Sequence, residues 1–242
     1  MPDYAIIIPA FNEEDYLAVT LEATRSAMAE QDLSGELIVV DNNSSDATAT
    51  VAEENGADRV VFEPHNQIAR ARNAGAEAVP EAPFLIFVDA DTLITGELLA
   101  TALSKLQSGR VAGGGARVTM DQEVSPIVGW ITTSWNRYST LLNYAAGSFF
   151  YTRRDAYEAG GGFDETVYAG EEIWLAKRIK RWARKKKMRF VVISDPPVVT
   201  SGRKSEWFST GQFIWQMTII VFCPWAMRNR KFCQLWYRRP EE

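Results

Sequence analysis

Three apolar runs, each stopping abruptly in polar residues, constrain this chain most. They are "AIIIPAFNEE" (5–14), "ELIVVDNNSSD" (36–46) and "FLIFVDADT" (84–92). A short continuous apolar run reads as a strand buried on both faces, as strands of parallel sheets are. Helical patterns fill the gaps between the runs. Leu17, Leu21, Thr24 and Met28 recur at i, i+4, i+7 and i+11, one helical face. Glu13, Glu14 and Asp15 just before them are expected in that helix's first turn, where the dipole favours acids. A second helix is expected after the "NNSSD" turn, ending at Gly56. "RVVFE" (59–63) reads as a strand, "QIARARNAGAEAV" (67–79) as an Ala-rich helix, and "GELLATALSKLQSG" (96–109) as a helix with Leu99, Ala102, Leu103 and Leu106 inward. Strands alternating with helices imply βαβ units with right-handed crossovers, hence an α/β fold with a mostly parallel sheet flanked by helices. Ligands of such sheets collect outside the carboxyl ends of the strands. That is where the three runs put their polar residues.

After residue 110 the alternation loosens. "RVAGGGARVTM" reads as a strand broken by glycines, "VSPIVGWITTSWNRYSTLLNY" as a helix and "GSFFYT" as a short strand. A loop follows, then a helix with Leu175, Ile179 and Trp182 on its apolar face, then two strands, "MRFVVIS" and "PPVVTS". No repeat or low-complexity linker divides the chain. One domain is expected over 1–210, in two halves (1–110 and 111–210) that supply different edges of one site, followed by an aromatic and basic segment (211–242).

Bulk chemistry narrows the function. The only two cysteines, Cys223 and Cys233, cannot form a disulfide framework, and the single histidine, His65, excludes a multi-histidine metal centre. With no secretory leader in "MPDYAIIIPAF", a reducing, cytoplasmic setting is expected. The net charge of −5 conceals a division: residues 1–176 carry 10 Lys/Arg and 27 Asp/Glu (−17), and residues 177–242 carry 16 and 4 (+12). A basic end of this kind suits an anionic partner or a solvated helix face. An acidic body without an aromatic platform among the basic residues argues against nucleic acid.

Asp89 and Asp91 end the third run. On an unbroken strand, i and i+2 point the same way; a strand that stops at Val88 lets the two splay toward different parts of one ligand. Carboxylates also hold hard cations such as Mg²⁺ or Mn²⁺, which a diphosphate beside them requires. The ordered set "IIIPAFNEE", "VVDNNSSD", "ARNAG", "FVDADT", "GGFDE" and "GEEIWLAKRIK" resembles the family 2 glycosyltransferases of the GT-A fold, over residues 5 to about 181. The resemblance implies inverting transfer of a sugar from a nucleotide diphosphate sugar. It implies a nucleotide site at Pro9, Ala10, Asn12 and Glu13, with Asp41 at the base and Asp89 near the ribose. It implies a divalent metal, Mn²⁺ or Mg²⁺, on Asp91, and a cation on the "ARNAG" helix, either Arg70 or Arg72. Glu171 and Glu172 match the acidic pair that supplies the catalytic base, with Glu172 favoured, and "GGFDE" matches a loop beside the acceptor. An acceptor hydroxyl needs a carboxylate in reach to take its proton.

Some features depart from the family pattern. No histidine follows His65 to complete a metal site, so Arg203 and Lys204 are alternative partners for the leaving diphosphate. "IKRWARK" lacks the glutamine of the processive-synthase signature, which implies a non-processive enzyme. A dehydrogenase would need G-x-G-x-x-G after the first strand, where "PAFNEE" stands. A nucleotidyltransferase-like or non-catalytic nucleotide-sugar-binding domain remains the alternative. UDP and GDP both suit an aspartate at the base. The segment 213–240 is too interrupted to span a bilayer but dense in Trp, Tyr, Phe and Arg. It is expected either to rest on the inner membrane face, admitting a lipid-linked acceptor, or to pack on the sheet.

Overall fold

A computed structural model describes residues 1–122, 126–203, 211–212, 215, 223–233 and 237. The first half alternates as expected: β1 (Tyr4–Ala10), α1 (Leu17–Ala29), β2 (Gly35–Asp41), α2 (Thr48–Glu54), β3 (Arg59–Phe62), α3 (Ile68–Glu77), β4 (Phe84–Val88), β5 (Thr92–Leu93) and α4 (Gly96–Gln107). The second half adds β6 (Val111–Met120), α5 (Pro126–Leu142), β7 (Phe149–Arg153), α6 (Arg154–Ala159), α7 (Glu171–Lys185) and β8 (Arg189–Thr200). Two 3₁₀ turns, Pro224–Arg228 and Arg230–Phe232, follow.

Among the described residues the strands make one sheet in the order β3-β2-β1-β4-β7-β6-β8-β5. β3, β2, β1 and β4 are parallel, and β7 runs antiparallel between β4 and β6. Side-chain alternation divides each central strand between two cores. Ile6, Ile8, Val39 and Ile86 pack under α1 and α4; Ile7, Ile38, Val40, Leu85 and Phe87 pack under α3 and α7. This double burial explains the unbroken apolar runs.

Three local expectations are corrected. α1 starts at Leu17, so Glu13–Asp15 lie in the preceding loop and not in its first turn. They tie two loops together instead: the Glu13 amide donates to Thr48 Oγ1 (2.8 Å), and the Glu14 carboxylate accepts from the Ala47 amide (2.9 Å). β6 is not broken by its glycines. A Cβ on Gly114 would stand 1.8 Å from the Val191 carbonyl oxygen, so the glycines let β7 and β8 close in on both sides. "MRFVVIS" and "PPVVTS" are one strand, β8, whose pairing with β6 lapses between Ile193 and Val198. Pro196 and Pro197 in that gap have no N–H to give the ladder.

Candidate active site

β4 ends at Val88, and its two aspartates diverge. Asp89 accepts from Arg72 Nη2 at 2.8 Å, while Asp91 accepts from Arg203 Nη2 at 3.2 Å. The same Arg203 nitrogen lies 2.5 Å from Glu13, and its guanidinium sits over the Tyr16 ring at 4.1 Å. Glu13, Asp91 and Arg203 are all buried, so two carboxylates converge on one cation at the mouth of the β1 loop. Burial alone would tend to discharge Arg203, but Glu13 and Asp91 outweigh it and raise its pKa.

The "ARNAG" motif divides into three tasks. Residues two apart on a helix point some 200° apart, so one arginine only can face inward. Arg72 does: it is buried, donates from Nη1 to Glu171 (2.5 Å) and from Nη2 to the Gly147 carbonyl (2.9 Å), and lies 5.2 Å over the Phe163 ring. Arg70 stays at the surface, paired with Glu165 at 3.2 Å. Asn73 holds the "GGFDE" loop by donating to the Phe163 carbonyl (3.0 Å) and accepting its amide (2.9 Å). Gly75 lets α3 approach the sheet, since a Cβ there would meet Ile7 Cγ2 at 2.4 Å.

Glu171 and Glu172 open α7 behind Gly170, whose φ of 71° favours glycine. Burial raises the Glu171 pKa, and the Arg72 contact offsets this only in part. Glu172 is half-buried and has no ion-pair partner of its own among the described residues; burial first, then the Glu171 charge, pushes it up to about 8. Arg72 stays charged because Asp89, Glu171 and Glu172 overcome the burial that would discharge it. The two adjacent carboxyls thus differ in their partners: Glu171 has the direct Arg72 contact and Glu172 has no ion-pair contact among the described residues.

Two hollows meet here. A narrow cleft outside β1 and β4 is lined by Pro9, Ala10, Phe11, Glu13, Asn42, Asn66, Ile68, Asp89, Ala90, Asp91 and Tyr237. A cavity of about 310 Å³ lies beyond it, lined by Arg72, Glu171, Glu172, Gly147 and an apolar wall that includes Val118, Ile131, Trp135 and Ile173. Asp89 and Ile68 line both. Asn12 and Asp41 are not in the lining of the cleft: the Asn12 side chain accepts from the Ser45 amide (2.9 Å), and Asp41 Oδ1 accepts from the Ser44 amide (3.0 Å). Lys204 lies outside the described residues, as do Phe213, Phe222 and Trp236 of the aromatic segment.

Sequence reasoning missed Asn42, Asn66 and Tyr237. The Asn42 side chain donates to the His65 carbonyl (2.6 Å) and accepts from the Gln67 amide (2.7 Å), joining two loops of the cleft. Its place directly after Asp41 at a strand end was a usable signal. Tyr237 was not legible, because its hydroxyl reaches the Ile68 amide (3.3 Å) from 169 residues away. Among the described residues, no three His, Cys, Asp or Glu side chains form a ready metal cage, and no helix is long and apolar enough to cross a membrane.

Comparison with known proteins agrees with this geometry. The glycosyl transferase family 2 model matches residues 5–161, well over half of the chain. An uncharacterised glycosyltransferase of Mycobacterium bovis is 35% identical over 104 residues, 43% of this chain and 44% of the relative, so the chain spans under half of that relative's length. The fold matches TarS of S. aureus in complex with UDP-GlcNAc (TM-score 0.63, 19% identity, 97% of this chain and 70% of that one). It also matches the mannosyltransferase PcManGT of Pyrobaculum calidifontis in complex with GDP-Man and Mn²⁺ (TM-score 0.60, 19% identity, 99% and 71%). The chain therefore belongs to glycosyltransferase family 2 and adopts the GT-A fold.

Proposed function

We propose that this chain transfers a single sugar, with inversion, from a UDP- or GDP-linked donor to an acceptor hydroxyl. The observation that carries the reading is the junction at Asp89: a cleft of mixed polarity at the strand ends and an apolar cavity share that residue, and Glu172 faces the cavity. The nucleotide occupies the cleft along Pro9, Ala10 and Glu13. The acceptor occupies the cavity and brings its hydroxyl to Glu172. Glu172 takes the hydroxyl proton, the oxygen attacks the anomeric carbon from the face opposite the leaving group, and the bond to the diphosphate oxygen breaks. Arg72 fixes Asp89 and Glu171 so that the junction keeps its shape.

Asp91 with Glu13 beside it fits a divalent cation: both are hard oxygen donors already gathered on a positive charge, and such cations bind one or two carboxylates plus substrate phosphates. Bound there, Mn²⁺ or Mg²⁺ supplies positive charge to the donor's diphosphate. Arg203 lies in place to share that task. Structural neighbours solved with GDP-Man and Mn²⁺ and with UDP-GlcNAc support both the donor class and the metal. The acceptor is soluble or lipid-linked, and the setting is cytoplasmic.

Calorimetric titration of UDP and GDP, with and without Mn²⁺, tests the donor site. One of the two is expected to bind, more tightly with Mn²⁺, and Asp91→Ala should remove the metal's contribution while the protein stays folded. Equal binding in EDTA would move the task to Arg203 alone. No binding of either nucleotide defeats the reading.

A further inference from the structure

α5 is more apolar than its contacts within the fold require. Asn136 pins it to β6, donating to the Val118 carbonyl (2.7 Å) and accepting its amide (2.9 Å). Beside that contact, Ile131 and Trp135 line the cavity. Further round the helix the side chains stand in the open: Trp130 is 71% exposed and Leu141 79%, with Ile127 and Tyr138 also exposed. At 3.6 residues per turn, Ile127, Trp130, Tyr138 and Leu141 fall on one stripe, with Ser134 at its middle. The rings of Trp135 and Tyr138 are 6.1 Å apart, so stripe and cavity lining are continuous.

The edge of this stripe is basic. Tyr144 stacks on Tyr138 at 6.2 Å, and Lys180 Nζ lies 3.9 Å from the Tyr144 ring while donating to the Leu142 carbonyl (2.6 Å). A groove then runs from Leu142 past Lys180 and Arg184 to Arg189, with no acidic residue in its lining. We propose that the α5 stripe and this basic edge form a docking face for an anionic lipid bilayer. Charge selects the occupant. The edge carries Lys180, Arg184 and Arg189 and no acidic residue in its lining, so a second copy apposed on this face would set like charges against each other. Trp and Tyr beside Lys and Arg suit the membrane–water interface. This moves the expected membrane contact from 211–242 to α5 and α7, and the continuous apolar path favours the lipid-linked acceptor. It rests on the proposed function only in taking the cavity as the acceptor's.

The test is co-sedimentation of the full chain with phosphatidylcholine vesicles, with and without phosphatidylglycerol. The wild type should pellet with the anionic vesicles at low salt, not with the neutral ones, and should be released at high salt. Trp130→Ser/Leu141→Ser and, separately, Arg184→Glu/Arg189→Glu should each lower the bound fraction about tenfold or more. UDP and GDP titrations on every variant report folding and separate the two claims. Nucleotide binding without pelleting overturns the docking face alone; pelleting without nucleotide binding upholds it and defeats the transfer reading. Variants that pellet like wild type also overturn the docking face. So does a wild-type dimer that Trp130→Ser/Leu141→Ser dissolves, which would assign the face to a second copy.

Discussion

Arg72 is a single buried cation shared among three carboxylates, and Glu172 receives the least of it: Asp89 and Glu171 take the direct contacts. Burial first, then the Glu171 charge, hold Glu172 at a pKa of about 8 before any ligand arrives. A base must be deprotonated to act, so kcat/KM should rise with pH and level off above about 8. Glu171→Gln removes the neighbouring negative charge, and the rising limb should move to lower pH; a limb that stays in place would mean Glu171 does not act on Glu172. The same shift has a cost in stability. A carboxyl whose folded pKa exceeds its unfolded value of 4.5 favours the fold below that value and loses this contribution as pH rises through about 8. Glu172→Gln cannot ionise, so its melting temperature should gain on wild type between pH 5 and pH 9. Parallel melting curves across that range would show that Glu172 is not held protonated by its burial.

At the scale of elements, α3 shows how far the sequence could be read. Its helical pattern was plain, but "ARNAG" hid three separate tasks. The inward choice of Arg72 over Arg70 depends on the helix's rotation against the sheet, which Gly75 permits by bringing the backbone onto Ile7 and Val40. Gly75→Val should therefore do two things: destabilise by about 1–3 kcal/mol through overpacking, and weaken transfer further by shifting Arg72. Chemical denaturation and kinetics measured together check this; lost stability with unchanged kcat would uncouple the helix's seat from the site. The buried strands and the splay at Asp89 and Asp91 were legible because periodicity and strand ends are local. The continuity of β6 was not, because glycines that usually interrupt a strand serve here for the close approach of β7 and β8, a long-range fact. Glu13 was misplaced for the same reason: its partner Arg203 is 190 residues away.

Across the whole molecule, the parallel half of the sheet presents the cleft, and the mixed half closes the cavity with α5 and the start of α7. The order of motifs along the chain predicted that both halves would serve one site, but not that they would meet at Asp89, nor that Tyr237 would join the cleft from the far end of the chain. Transfer at this junction, as proposed, depends on Glu172. The most direct test of that dependence measures nucleotide diphosphate release from a panel of UDP- and GDP-sugars with acceptor present, comparing wild type with Glu172→Gln, while titrating the same nucleotide into both. Glu172→Gln should bind nucleotide as wild type does and turn over about 10²–10⁴-fold more slowly. A Glu172→Gln protein that releases nucleotide at the wild-type rate would contradict that dependence.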